Sequence, residues 1–244
     1  MADRLARMAR PHIFITGASR GIGAATMALI REEDARVVGH ATTDGGGLIG
    51  ADLSLPGAGR ALWDKALEAL DGRIDVLVNN AGVFEDNPID ASDADWDAQW
   101  ERGLAINLKA AADLSRAAIL HWRERGSGGR IINVASRAGH RGDSPAHWHY
   151  AAAKAGMIAM TKTIARAHAN EGILAYAVAP GFTMTGMAED YLSSRGGQQL
   201  LADIPLGRVA DPGEVANAII YLSLKAPAAM TGATLDINGA SYVR

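Results

Sequence analysis

Tyr150 and Lys154 stand four residues apart at the start of a helix-like stretch, so both side chains should leave one helix face about a turn apart. That spacing brings an ammonium near a phenol. A free tyrosine titrates at about 10, and a neighbouring cation favours its phenolate, so the pair is suited to acid/base work nearer neutral pH. Tyr-x-x-x-Lys alone is a permissive pattern, and an ordinary pair on a helix is its plainer reading. Three other features sharpen it. Ser136 closes the apolar run 130–135, Asn107 interrupts a long helical stretch, and Thr16-Gly17-Ala18-Ser19-Arg20-Gly21-Ile22-Gly23 joins the apolar run 13–15 to the helix-like run 24–31. Glycines at this spacing allow a tight turn, leave room for a diphosphate and aim the free N–H groups of a helix N-terminus at it.

The elements that must position these groups alternate along the chain. Runs 12–16, 36–41, 74–78, 130–135, 173–178 and 234–237 read as strands, most of them continuously apolar. Helical patterning covers 24–33, 57–70, 93–125, about 149–170 and a helix opening at Asp211-Pro212. Strands buried on both faces and separated by helices predict an α/β doubly wound (Rossmann) fold with a parallel sheet. Between the second strand and a short third one at 48–51 lies only Thr42-Thr43-Asp44-Gly45-Gly46-Gly47. A parallel crossover usually takes a dozen or more residues, so its helix is expected to be missing, with a short glycine loop in its place. Asn79-Asn80-Ala81-Gly82, Ser136 and Pro180-Gly181 each follow a strand, at the carboxyl edge where such sheets bind ligands.

The 244 residues, 48% hydrophobic, suffice for one well-buried core, and one domain over 1–244 is expected, with a leader at 1–11 and a substrate lid at 183–207. A net charge of −3 with interspersed acids and bases gives no basic field for nucleic acid or anionic membrane. The absence of cysteine excludes disulfides, thiolate chemistry and Cys-containing zinc sites. No apolar run approaches a membrane span and the N-terminus lacks a secretory apolar core, so a soluble, cytoplasmic protein is expected.

The combination of TGASRGIG at 16–23, NNAG at 79–82, Asn107, Ser136, YAAAK at 150–154 and PGFTMT at 180–185 resembles the short-chain dehydrogenase/reductase family over nearly the whole chain. Within the family the sequence is most similar to bacterial 3-oxoacyl carrier-protein reductases and their relatives acting on small ketones and alcohols. The resemblance implies Tyr150 as general acid in ketone reduction and base in alcohol oxidation, and Ser136 as a donor to the substrate oxygen. It implies that Lys154 holds the nicotinamide ribose and lowers the tyrosine pKa, and that Asn107 positions a relay water. Gly17, Ser19, Arg20, Gly21, Ile22 and Gly23 would bind the diphosphate and its surroundings. Asp52 and Leu53 would flank the adenine, Asn79 would touch the adenosine ribose through its backbone with Ala81 and Gly82 beside it, and Pro180, Gly181, Thr183 and Thr185 would lie by the nicotinamide. For each threonine a turn role is an equal alternative. No metal is required, and a homotetramer or homodimer is implied.

The place where NAD-specific members carry an acid is Ala41 here, while Arg20 and Thr42 are placed to bind a 2′-phosphate. This favours NADP(H), with Asp44 keeping NAD(H) as the alternative. Arg137, His140, Arg141, His147 and His149, between Ser136 and Tyr150, point to an anionic or hydroxylated substrate, against the alternative that several face solvent or a subunit. Arg137, His147 and Met187 join Ser136 and Tyr150 as candidate substrate contacts. Glu171 would repel an acidic carrier protein, although Arg123 and Arg125 lie nearby. The reading is thus an NADP(H)-dependent ketone/alcohol oxidoreductase. Its alternatives are a 3-oxoacyl carrier-protein reductase and, in another class, a non-catalytic nucleotide sensor, which would have no need of the Tyr150–Lys154 pair.

Overall fold

Alternate residues of strand β1 (His12–Ile15) enter two different cores. Ile13 and Ile15 pack with Met27, Ile30, Val76 and Val78, whereas Phe14 packs with Leu62, Trp63, Leu77 and Leu114. A strand dry on both faces must lie between two helical layers, as the apolar runs predict. The computed structural model describes residues 10–184 and 201–244. It has one seven-stranded sheet in the order β3-β2-β1-β4-β5-β6-β7, parallel throughout. The remaining strands are β2 (Arg36–Ala41), β3 (Leu48–Gly50), β4 (Val76–Asn79), β5 (Gly129–Val134), β6 (Ile173–Pro180) and β7 (Thr234–Ile237). On the first face lie α1 (Gly21–Glu32) and α7 (Pro212–Ile220); on the second lie α2 (Ala58–Ala69), α4 (Ala110–Glu124) and α6 (Trp148–His168). Among the described residues no helix is long and apolar enough to cross a membrane.

The strand order reverses between β1 and β4, and their carboxyl ends open side by side. This is where a doubly wound sheet leaves a crevice. The missing crossover also has a geometric explanation. β3 pairs only with the last part of β2, Gly39 opposite Leu48 through Ala41 opposite Gly50. The return path along the strand is therefore two residues, about 7 Å at ~3.3 Å per residue, which residues 42–47 can span. Gly45, Gly46 and Gly47 all take positive φ there, and the Asp44 carboxylate accepts the Gly50 N–H at 2.6 Å.

The helical stretch expected over 93–125 is interrupted. Helix α3 (Asp93–Leu104), capped by Ser92, passes into a π-helical turn, Ala105–Lys109, before α4 begins. Asn107 occupies that turn. β4 starts two residues later than the apolar run because Asp75 is already committed to β1, its carboxylate accepting the His12 N–H at 2.8 Å. The opening of α7 is as read, with Pro212 in the first turn and a reciprocal Asp211/Glu214 cap.

Two glycines of the first turn have distinct duties. Gly17 has a φ of 67°, and a Cβ on Gly23 would lie 2.1 Å from the Gly17 carbonyl oxygen and 2.5 Å from Asn80 Nδ2. Gly23→Ala is accordingly expected to lower unfolding free energy by about 1–3 kcal/mol, measured by chemical denaturation. An unchanged midpoint would mean that the turn yields to the extra carbon.

Candidate active site

A groove of about 590 Å³ opens at the β1/β4 switch, walled by the glycine turn, the end of β2, residues 51–53 and residues 80–83. Backbone N–H groups at the start of α1 are available on its floor, since the first intrahelical bond runs from the Ala24 N–H to the Arg20 carbonyl at 3.3 Å. The helix start carries no side-chain cap and no acid in its first turn. A cradle with no room for a Cβ at Gly23 and a helix start free of carboxylates fits a dinucleotide diphosphate. Arg20 and Ser19 are exposed beside it, and Thr42 and Ala41 lie at its β2 end. Asp52 turns its carboxylate onto the N–H and hydroxyl of Ser54, at 2.9 and 2.7 Å, which holds its pKa below the usual range.

The two walls are stitched together by side chains. Thr16 Oγ1 accepts the N–H groups of Asn80 and Ala81, each at 3.0 Å, and Asn80 Nδ2 donates to the carbonyls of Thr16 and Gly17 at 3.0 and 2.9 Å. Asn79, expected to touch the ribose through its backbone, buries its side chain against Ser115 and Asn133 at 3.1 and 2.8 Å, which leaves only its main chain for such a contact. Strand alternation turns it into the core, and Asn80 is the residue that faces the groove.

At the far end the predicted catalytic groups converge. Lys154, 3% exposed, donates to the Val134 carbonyl at 2.8 Å, and its Nζ lies 5.7 Å from the Tyr150 ring centre. Ser136 is set beside Tyr150 and acts to hold the phenol's pKa down, while its Oγ accepts the Ala138 N–H at 3.1 Å. Asn107 closes its amide on one residue, accepting the Val83 N–H at 2.9 Å and donating to the Val83 carbonyl at 3.0 Å. A Cβ on Gly82 would lie 2.9 Å from Asn107 Oδ1 and 3.4 Å from Lys154 Nζ, so both side chains reach one glycine. The π turn is what swings Asn107 to this loop, in keeping with the occurrence of such turns at functional sites.

The electrostatics differ from expectation in one respect. The Tyr150 pKa is not lowered; burial pushes it up to about 12, against the opposing hydrogen bond from Ser136. Burial likewise pulls the Lys154 ammonium down to about 8. Desolvation disfavours the charged form of both groups, and over this separation it outweighs their mutual help.

The polar segment before Tyr150 also proves to be mostly paired. Arg137 lies over the Phe182 ring at 5.1 Å and within 3.5 Å of Asp203, which Arg141 contacts at 2.9 Å. His140 stacks on Tyr242 and sits 3.8 Å from Asp236, and His149 packs against Trp100 and Gly103. His147 lies 3.2 Å from Asp86, and its Nδ1 is 2.6 Å from Ser144 Oγ. Burial lowers the pKa of all three histidines, so the positive field inferred from composition is largely removed. Phe84, which the sequence did not single out, stacks flat on His147 at 3.6 Å and meets Tyr150 edge-on at 4.8 Å. Its only signal was its position two residues beyond NNAG. Thr183 turns its hydroxyl to the Gly181 carbonyl at 3.3 Å, while Thr185, Met187 and most of the expected lid lie outside the described residues.

A sequence profile described as enoyl-(acyl carrier protein) reductase matches residues 17–240. The chain is 38% identical over 240 residues to the 3-oxoacyl-(acyl-carrier-protein) reductase of Vibrio harveyi, covering 94% of this chain and 96% of the relative. It is 36% identical over the same span and shares to the enzyme of that name from Escherichia coli (strain K12). It is also 37% identical over 238 residues, 92% of this chain and 94% of the relative, to nodulation protein G of Rhizobium sp. (strain N33). The chain belongs to the short-chain dehydrogenase/reductase family. As a short-chain dehydrogenase/reductase it is an NAD(P)-dependent oxidoreductase acting on C=O and CH–OH groups.

A pH dependence follows for this member of the family. The Lys154 cation is present below about 8 and is lost above it. Carbonyl reduction should therefore fall as pH rises through that value, and alcohol oxidation should show no matching gain there, because Tyr150 keeps its proton and loses the neighbouring cation that favours its phenolate. Initial rates in both directions across pH check this. A reduction rate level to about pH 10 would contradict it.

Proposed function

We propose that the protein is an NADP(H)-dependent oxidoreductase interconverting a small ketone and its secondary alcohol. The observation that carries this reading is the gathering of Tyr150 and Ser136 beside the buried Lys154 cation, at the end of a groove whose other end holds Arg20 and no acid at Ala41. The nicotinamide, when bound, supplies or accepts the hydride. The two hydroxyls hold the substrate oxygen where negative charge grows as the carbonyl is reduced, and Tyr150 gives that oxygen its proton. A phenol that keeps its proton at neutral pH suits reduction, because the resting site is already loaded as an acid.

Lys154 holds the nicotinamide ribose and faces the growing charge from behind the ring. With its amide committed to Val83, Asn107 contributes to a proton relay through its main chain. Gly17, Gly21, Ile22, Gly23 and Ser19 hold the diphosphate, and Arg20 with Thr42 takes the 2′-phosphate. Leu53 and Asp52 flank the adenine, Ala81 and Gly82 line the ribose, and Pro180, Gly181 and Thr183 line the nicotinamide. Phe84 and the largely neutral His147 form an apolar wall beside Tyr150, which favours an uncharged substrate over an anionic one. The chain acts as one domain, assembled as a homotetramer or homodimer.

The second reading, reduction of 3-oxoacyl groups on a carrier protein, is favoured by the names of the relatives at up to 38% identity. Against it, Arg123 is engaged by Glu171 at 2.6 Å, with His168 on the same carboxylate, so this cation is not offered to an acidic partner.

Oxidation of NADPH against a panel of small ketones and 3-oxoacyl thioesters separates the two. Turnover of ketones alone supports the first reading, and preferential turnover of carrier-protein thioesters supports the second. Tyr150→Phe should reduce turnover at least a hundredfold; full activity in that variant would refute the assignment of the acid. Arg20→Ala should raise the KM for NADPH about tenfold or more while leaving that for NADH nearly unchanged, and equal effects would remove the 2′-phosphate role.

A further inference from the structure

His40 is buried, 3% exposed, in the next-to-last position of β2, and both its ring nitrogens are engaged by backbone. Gly17 N–H donates to Nδ1 at 3.1 Å, and Nε2 lies 2.9 Å from the Ala51 carbonyl oxygen. Those partners fix the tautomer. A backbone N–H can only donate and a carbonyl can only accept, so Nδ1 is bare and Nε2 carries the hydrogen. The His40 carbonyl also accepts the Ala18 N–H at 2.7 Å. One residue therefore fastens the glycine turn to β2 by two bonds and to the segment after β3 by a third. Those are three of the walls of the dinucleotide groove.

We propose that His40 is a positioning residue for the dinucleotide: its neutral Nε2–H form clamps the glycine turn to the segment after β3, and a proton on Nδ1 releases that clamp and weakens binding. The inference rests on the dinucleotide reading of the groove. The imidazolium would set an N–H donor against the Gly17 N–H inside the protein, leaving two donors face to face and both unsatisfied. Among the described residues no carboxylate is placed to accept the proton instead. Asp44, from the β2–β3 loop, is bonded to the Gly50 N–H, and Asp52, beyond β3, is bonded to Ser54. Arg20 from the glycine turn and Arg102 from α3 line the same groove and oppose a further positive charge, and Lys65 of α2 is directed to the Gly50 carbonyl. Burial accordingly lowers the His40 pKa, opposed only by the bond to Ala51. Binding should be constant above the His40 transition, which lies below the ordinary histidine range, and should weaken as pH falls through it.

Titration calorimetry of the full chain with NADP⁺ and with NAD⁺, from about pH 8 to about pH 5, tests the clamp against His40→Asn. The asparagine Oδ1 still accepts from Gly17 but takes up no proton. Wild type should lose about tenfold or more in affinity toward acid, while His40→Asn, weaker than wild type at the upper pH because its amide no longer reaches the Ala51 carbonyl, should lose much less over the same range. Titration of the NADP⁺ 2′-phosphate is common to both proteins and cancels in their ratio. Identical acid limbs would overturn the proposal, as would tightening of wild type alone, the mark of an imidazolium–phosphate contact. A preference for NAD⁺ would remove the NADP reading and leave the clamp standing, because the turn serves both dinucleotides. Nitrogen-15 shifts of the His40 ring in the ligand-free protein add a readout independent of cofactor and variant. Bare Nδ1, with the Gly17 amide shifting at the midpoint of the ring, supports the clamp; the opposite tautomer, or an unresponsive Gly17 amide, overturns it.

Discussion

Two strands that leave a sheet side by side and diverge must end with unpaired backbone groups at one point, and that point here is closed by side chains. Thr16 and Asn80 satisfy the main chains of each other's loops through four hydrogen bonds. Their joint action holds the glycine turn at the distance where Gly23 fits and a Cβ would not. Everything downstream depends on that closure. The first turn of α1 keeps its N–H groups facing outward, and the loop 80–83 is presented to Asn107 and Lys154 at the other end of the groove.

The catalytic end works by burial as much as by contact. Withdrawal from water moves Tyr150 and Lys154 in opposite directions, up to about 12 and down to about 8, which reverses the ordinary order of a phenol and an ammonium and widens the gap between them. A spacing of four residues on a helix fixes which face the two groups share but carries no information about the dielectric around them. The π turn supplies the remaining support, since an ordinary helical register from α3 to α4 would place Asn107 elsewhere on the cylinder.

Much of this was legible in the residues. Continuous apolar runs identified the buried parallel strands, the 42–47 connection was recognised as too short for a helix, and Asp211-Pro212 with Glu214 marked the start of α7. What was hidden were properties set by neighbours distant in sequence. The orientation of Asn79 follows from strand alternation against Asn133 and Ser115, and the cations of the 137–149 segment are matched by Asp86, Asp203 and Asp236, which lie well outside it. His40 and Phe84 carried no motif, because their partners are backbone atoms and rings brought close only by folding.

The short third strand has a consequence for how copies of this protein behave toward one another. β3 lies at the open edge of the sheet, where a long strand with free N–H and C=O groups would be a template for another chain. Its three residues end in glycine and are preceded by Gly45-Gly46-Gly47, whose positive φ values bend the backbone away from the extended form. The same economy that dispenses with the crossover helix thus leaves an edge too brief and too irregular to recruit a neighbouring strand.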